Sequence, residues 1–161
     1  MATLFHATSA YLAPDSVIEP GNYGRILRLY PHDQTNVGNG WRLATELAFE
    51  EKRVRCFPNL PSRLRSCFAF PDREAAAAAR GRMATLDVLY EVELADPDAP
   101  QHVGDFDLIS RCYTAAQGDL FLQKVDDASD VYWSGRGLGV KELLTAGGLR
   151  VVRRISWPPT P

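Results

Sequence analysis

The chain carries little net charge: 18 lysines and arginines against 20 aspartates and glutamates leave a formal charge of −2 over 161 residues. That excludes the global basic footprint on which non-specific nucleic-acid binding depends, so any phosphate contact must be local. Cysteine is scarce. Cys56, Cys67 and Cys112 form no CxxC pair and have no histidine at zinc spacing, which argues against a structural metal site. Free thiols suit a reducing, cytoplasmic setting. No window approaches the ~20 continuous apolar residues of a membrane span. "MATLFHATSA" has no basic segment followed by a long apolar core, so a soluble, unprocessed chain is expected. There is neither a GxGxxG after a strand nor a GxxxxGK[ST], and "SGRGLG" has neither spacing, so the Rossmann and P-loop modes are unsupported. No internal repeat is present, and the alanines at 75–79 are a helix signal.

What is there is ordinary globular material. Hydrophobic residues at 45% and charged residues at 24% predict one domain over 1–161 with a substantial core. The periodicity predicts an α+β layout. Leu4 to Ser9 reads as a first strand, with His6 and Thr8 on one face and Phe5 and Ala7 on the other. A loop with turns at Pro14-Asp15 and Pro20-Gly21 follows, and "GRILRLY" reads as a further strand or an extended crossing segment. "WRLATELAFEEKRVRCF" predicts a helix from Trp41 to about Phe57, its stripe made of Trp41, Ala44, Leu47, Ala48 and Val54, stopped by Pro58.

"NLPSRLRSCFAF" passing into "PDREAAAAARGR" is a strand-to-helix junction, with Pro71 in the first turn and Asp72 and Glu74 at the helix N-terminus. "TLDVLYEVELA" alternates Leu86, Val88, Tyr90, Val92 and Leu94 on one face of a strand ended by Asp96-Pro97. Phe106 to Asp127 reads as one or two helices broken at Gly118. "SDVYWSGRGLG" is expected to be loop, and "KELLT" and "LRVVRRI" to pair with each other around "AGG".

Three separated stretches carry a resemblance. "FHATSAYLAPDSVIEPGNYG" resembles the first motif of the ADP-ribosyltransferase superfamily, a strand-borne His-x-Thr followed by a loop and a Pro-Gly turn. It looks like the opening of the small rifamycin-type enzymes and of toxin-type mono-ADP-ribosyltransferases. "SCFAFPDREAAAAAR" is similar to the second motif, an aromatic-bearing strand entering an alanine-rich helix. "VKELLTAGGLRVVRRI" resembles the third, in which a glutamate opens the last strand pair.

The resemblance implies split antiparallel sheets with flanking helices and NAD held in the cleft between the sheets as ADP-ribose donor. It implies Glu142 as the carboxylate that holds the nicotinamide ribose and orients or deprotonates the nucleophile. His6 would bind ribose hydroxyls, the Ala7 backbone the nicotinamide carboxamide, and Thr8 would support the same ribose. Phe68 stands where relatives often carry a tyrosine that stacks on nicotinamide; stacking survives and the hydroxyl is lost. Arg63 and Arg65 read equally as solvent-facing charges and as pyrophosphate partners.

Bland roles stand beside these. His6 alone is more often a satisfied polar residue, Phe68 a core residue, and Glu142 the surface partner of Lys141 or a nearby arginine. Tyr23, Trp133 and Ser134 are second-rank candidates, equally suited to packing; His32 and His102 receive no role. The expected function is mono-ADP-ribosyl transfer from NAD to a macromolecular acceptor, protein or RNA, by a bacterial toxin-like or effector-like enzyme, with an antitoxin or immunity protein as a further partner. The alternatives are a drug-modifying transferase, an NAD glycohydrolase, an RNA 2'-phosphotransferase using Arg25, Arg28, Arg63 and Arg65, and a non-catalytic NAD-binding module.

Overall fold

Apolar alternation at Val88, Tyr90 and Val92 builds the central strand of the larger sheet, and the other strands assemble around it. The computed structural model describes residues 3–29, 37–80, 87–114 and 116–157. Within them run β1 (Leu4–Thr8), β2 (Val17–Ile18), α1 (Asn22–Arg28), α2 (Val37–Cys56), β3 (Cys67–Ala69), α3 (Arg73–Arg80) and β4 (Val88–Leu94). Then come β5 (Gln101–Asp105), α4 (Phe106–Ser110), α5 (Phe121–Trp133), β6 (Lys141–Thr145) and β7 (Leu149–Ile155). Short 3-10 turns occupy Arg63–Arg65 and Arg111–Tyr113.

All pairing is antiparallel, in two sheets: four strands ordered β1-β4-β7-β2 and three ordered β3-β6-β5. The fold is α+β with split antiparallel sheets, as expected. One apolar cluster draws Leu4, Val88, Tyr90, Val92, Leu149 and Val151 from the larger sheet and Cys67, Ala69 and Leu143 from the smaller, so it lies between the two. The other cluster, with Phe5, Phe49, Phe70, Ile109, Trp133 and Leu144, packs the helices onto the sheets.

The sheets touch edge to edge at one point. Phe5 of β1 and Phe70, the residue after β3, exchange both backbone hydrogen bonds, at 2.9 and 2.7 Å, as an isolated bridge.

Four expectations need correction. "GRILRLY" begins as helix α1, not as strand: Gly24 and Leu27 are buried at helical spacing while Arg25 and Arg28 face solvent. Gly24 lies so close to the next segment that a Cβ there would sit 2.2 Å from the Leu64 carbonyl oxygen. In α2 the buried stripe is Thr45, Glu46 and Phe49, whereas Leu47 and Val54 are 52% and 57% exposed; the phase read from Trp41 and Ala44 is off by about one residue.

The stretch read as "SDVYWSGRGLG" loop is helical through Trp133, with Tyr132 and Trp133 fully buried, because the Trp133 indole N–H finds the Phe49 carbonyl at 2.8 Å. Finally, "KELLT" and "LRVVRRI" do not pair. β6 lies between β3 and β5 while β7 pairs with β4 and β2, and the turn between them carries the chain from one sheet to the other. There the Ala146 N–H bonds to the Pro100 carbonyl on one side and the Gly148 carbonyl accepts from Ala95 on the other. β5 was not read from the sequence at all. Leu86 and His32 lie outside the described residues.

Candidate functional site

The site begins where the sheets part. On an antiparallel strand, backbone groups point to alternate sides, so Ala7 turns its N–H and C=O the same way as Phe5 does. Phe5 meets Phe70 there; Ala7 meets no backbone partner among the described residues of β3. The acceptor that would have served the Ala7 N–H, the Phe68 carbonyl, is taken instead by His6 Nδ1 at 2.8 Å.

A carbonyl only accepts, so Nδ1 carries the proton and donates. Burial holds the His6 imidazole below its ordinary pKa, against the Phe68 carbonyl, which favours the charged form. Neutral His6 therefore presents Nε2 as a lone-pair acceptor. Thr8, on the same face and half-buried, accepts from the Ala10 N–H at 3.1 Å. Ala7 itself is buried, its methyl in the core.

Phe68 links this rim to the interior. Its ring meets Tyr23 edge-on at 5.3 Å, and the Arg63 guanidinium carbon lies 5.0 Å from its centroid. β6 runs beside β3 with Leu144 opposite Phe68, so Glu142, two residues before Leu144, shares the sheet face that carries Phe68.

Glu142 is not a surface partner of Lys141. It is 3% exposed and paired with Arg63, also 3% exposed. Arg63 Nη1 donates to Glu142 Oε1, as does the Tyr132 hydroxyl at 2.9 Å. Glu142 Oε2 accepts from none of the described residues.

The rest of Arg63 is committed to Glu46, with Nε to Oε2 at 2.9 Å and Nη2 to Oε1 at 3.2 Å. Glu46, 1% exposed, also accepts from the hydroxyls of Tyr113 at 2.6 Å and Tyr23 at 3.0 Å. Burial alone would push Arg63 toward neutrality, but Glu142 and Glu46 hold its pKa well above the ordinary value. Burial, joined by the nearby carboxylates, raises the three phenols well above theirs, so they act as neutral donors.

A tyrosine from α5 reaches a strand of the smaller sheet only because of a missing side chain. Gly104 of β5 stands opposite Glu142, and a Cβ on it would lie 2.3 Å from the Tyr132 ring.

The sequence candidates thus divide. His6 touches Phe68, Phe68 touches Arg63, and Arg63 touches Glu142. Arg65 stands apart, exposed and with no ion pair among the described residues. The phosphate-partner reading of Arg63 is corrected by its burial, since both carboxylates occupy its donors. Tyr23 belongs to the cluster; Trp133 is core, and Ser134 is exposed. Glu46, Tyr113 and Tyr132 were missed. Glu46 had a signal, its three-residue spacing to the buried Phe49, which puts both on one helical face. His102, assigned no role, is buried with Nε2 donating to the Tyr132 carbonyl at 3.0 Å, so it braces α5.

Residues 28–156 match the family described as Protein of unknown function (DUF2441). The chain belongs to that family. No curated protein matches it. As a DUF2441 protein it has, among the described residues, no helix long and apolar enough to cross a membrane.

Proposed function

We propose that the protein transfers ADP-ribose from NAD to an acceptor and releases nicotinamide. The observation that carries this reading is the backbone edge of Ala7, which meets no partner among the described residues beside β3 and is flanked by His6 and Phe68. A carboxamide has one donor and one acceptor face, and a free N–H and C=O on one residue are their complement.

NAD supplies an activated bond between ribose and nicotinamide. Its cleavage passes through an oxocarbenium-like transition state, as in glycoside hydrolysis. The residues fit it in part. His6 Nε2 accepts from a ribose hydroxyl, Phe68 offers a ring face, and Glu142 Oε2 supplies negative charge near the ribose. Arg65 is the remaining candidate for a pyrophosphate oxygen.

The three free thiols fit a cytoplasmic setting. The acceptor is a macromolecule, protein or RNA, and an antitoxin-like partner is consistent with a toxin-type enzyme. A second reading, a binding module without turnover, is favoured by the near-complete burial of Glu142 against Arg63. Incubation with NAD labelled on the adenylate half, followed by fractionation of a lysate into protein, nucleic acid and small molecules, tests the proposal. Label retained in one fraction, matched by released nicotinamide, supports it; NAD bound and recovered intact favours the module.

A further inference from the structure

The buried cluster holds two carboxylates against one guanidinium, an odd balance where uncompensated charge is costly to bury. The way Arg63 divides its donors explains what that balance achieves. A guanidinium fork normally meets one carboxylate through two nitrogens. Here Nε and Nη2 go to Glu46, and the nitrogen left for Glu142 is Nη1, which also donates to the Tyr132 hydroxyl at 2.5 Å and meets Glu142 only at Oε1. Tyr132 reinforces the same oxygen. Oε2 meets no donor among the described residues.

Glu46 is itself held in place. It sits on α2 with the hydroxyls of Tyr113 and Tyr23 on Oε1 and cannot swing away from Arg63 without losing them. We infer that Glu46 is a positioning residue for Glu142: by engaging two of the three nitrogens of Arg63 it fixes the Glu142 carboxylate through Oε1 and leaves Oε2 open to the reacting ribose. The inference rests on the transferase reading and adds to it a residue outside the three motifs. Without the Glu46 charge, Arg63 is free to turn its fork onto Glu142 and occupy both oxygens. Glu46 then acts by confining Arg63 to one oxygen of Glu142, so that Oε2 is left without a donor.

The test is Glu46→Gln in the full chain, measured as nicotinamide release over a range of NAD concentrations, with Glu46→Asp beside it and melting curves for each. The relay predicts that kcat falls at least ~10-fold while KM for NAD stays within about twofold, because the charge matters mainly in the transition state. Glu46→Asp should recover part of kcat by restoring the charge.

A folded Glu46→Gln with wild-type kcat overturns the inference and leaves the transferase reading intact. A fall in activity that matches only the fraction unfolded overturns it too, since that is a structural role. If Glu46→Gln does not fold, Tyr113→Phe serves instead: it removes one donor to Glu46 and keeps the ring, and kcat should fall about threefold at unchanged KM. A Tyr113→Phe protein with wild-type kcat overturns the inference. Wild-type protein that releases no nicotinamide removes the transferase reading and the relay with it, an outcome distinct from an active wild type with an equally active Glu46→Gln.

Discussion

Replacing Arg63 by leucine strands two carboxylates that are almost wholly buried. Glu46 and Glu142 are 1% and 3% exposed, and Arg63 supplies the cation to both. Breaking a buried ion pair from one side typically costs about 3–5 kcal/mol, because the partner is left charged and desolvated. A chain of this size shifts its melting temperature by roughly 2–4 °C per kcal/mol, so Arg63→Leu should melt about 6–20 °C below wild type.

The charge argument makes a second, sharper demand. A triple variant that also carries Glu46→Gln and Glu142→Gln removes the stranded charges, and replacing a whole buried ionic group is often near neutral. The triple should therefore recover most of the loss. Urea unfolding followed by circular dichroism gives both values. An Arg63→Leu protein within about 1 kcal/mol of wild type would refute the reasoning outright. A triple no more stable than the single would mean that the loss came from packing against Phe68 and Tyr132 rather than from charge.

Other expectations concern the rim of the site. The His6 imidazole, ordinarily near 6.5, is lowered in the fold, so the unfolded chain takes up the proton first as pH falls. The stability tied to neutral His6 is complete above about pH 6.5 and is lost on going lower, whereas NAD affinity should weaken only at lower pH still, once the folded imidazole itself takes up the proton and Nε2 ceases to accept. His6→Gln should flatten that part of the stability curve, measured by urea unfolding at pH 8, 6.5 and 5; an unchanged curve would clear His6 of the effect. Phe68→Tyr should bind NAD by calorimetry as wild type does, whereas Phe68→Ala should lose stacking. A folded Phe68→Ala with unaltered affinity would make Phe68 a core residue only.

Much of this arrangement could be read from residue order, and the remainder depended on long-range pairing. β1, β3, α3 and β4 announce themselves by alternation and by a proline with acidic residues at a helix start, all of them local signals. His6 and Phe68 came from motifs on β1 and β3, and Glu142 from the motif on β6. Glu46 was hidden because a glutamate in "LATELAF" looks like the solvent side of a helix until Arg63 is found opposite it, 17 residues away. Tyr132 was hidden by its serine- and glycine-rich neighbours, which imitate a loop while α5 continues through it. The separation of β6 from β7 was equally invisible: "AGG" has the composition of a hairpin turn, and only the pairing of β7 with β4 shows that it bridges two sheets. β5 failed to register because "QHVGD" buries His102 and Gly104, residues with little strand preference, for the sake of what packs on them.

The central claim is that Glu142 acts on a bond in NAD. Glu142→Gln keeps the size of the side chain and an acceptor for Arg63 and Tyr132 while removing the charge. At saturating NAD, with lysate as acceptor source, wild type should release nicotinamide and Glu142→Gln should do so ~100-fold more slowly at similar NAD affinity, the scale of one lost transition-state contact. A Glu142→Gln protein as fast as wild type, or a wild type that binds NAD and never releases nicotinamide, would contradict the account.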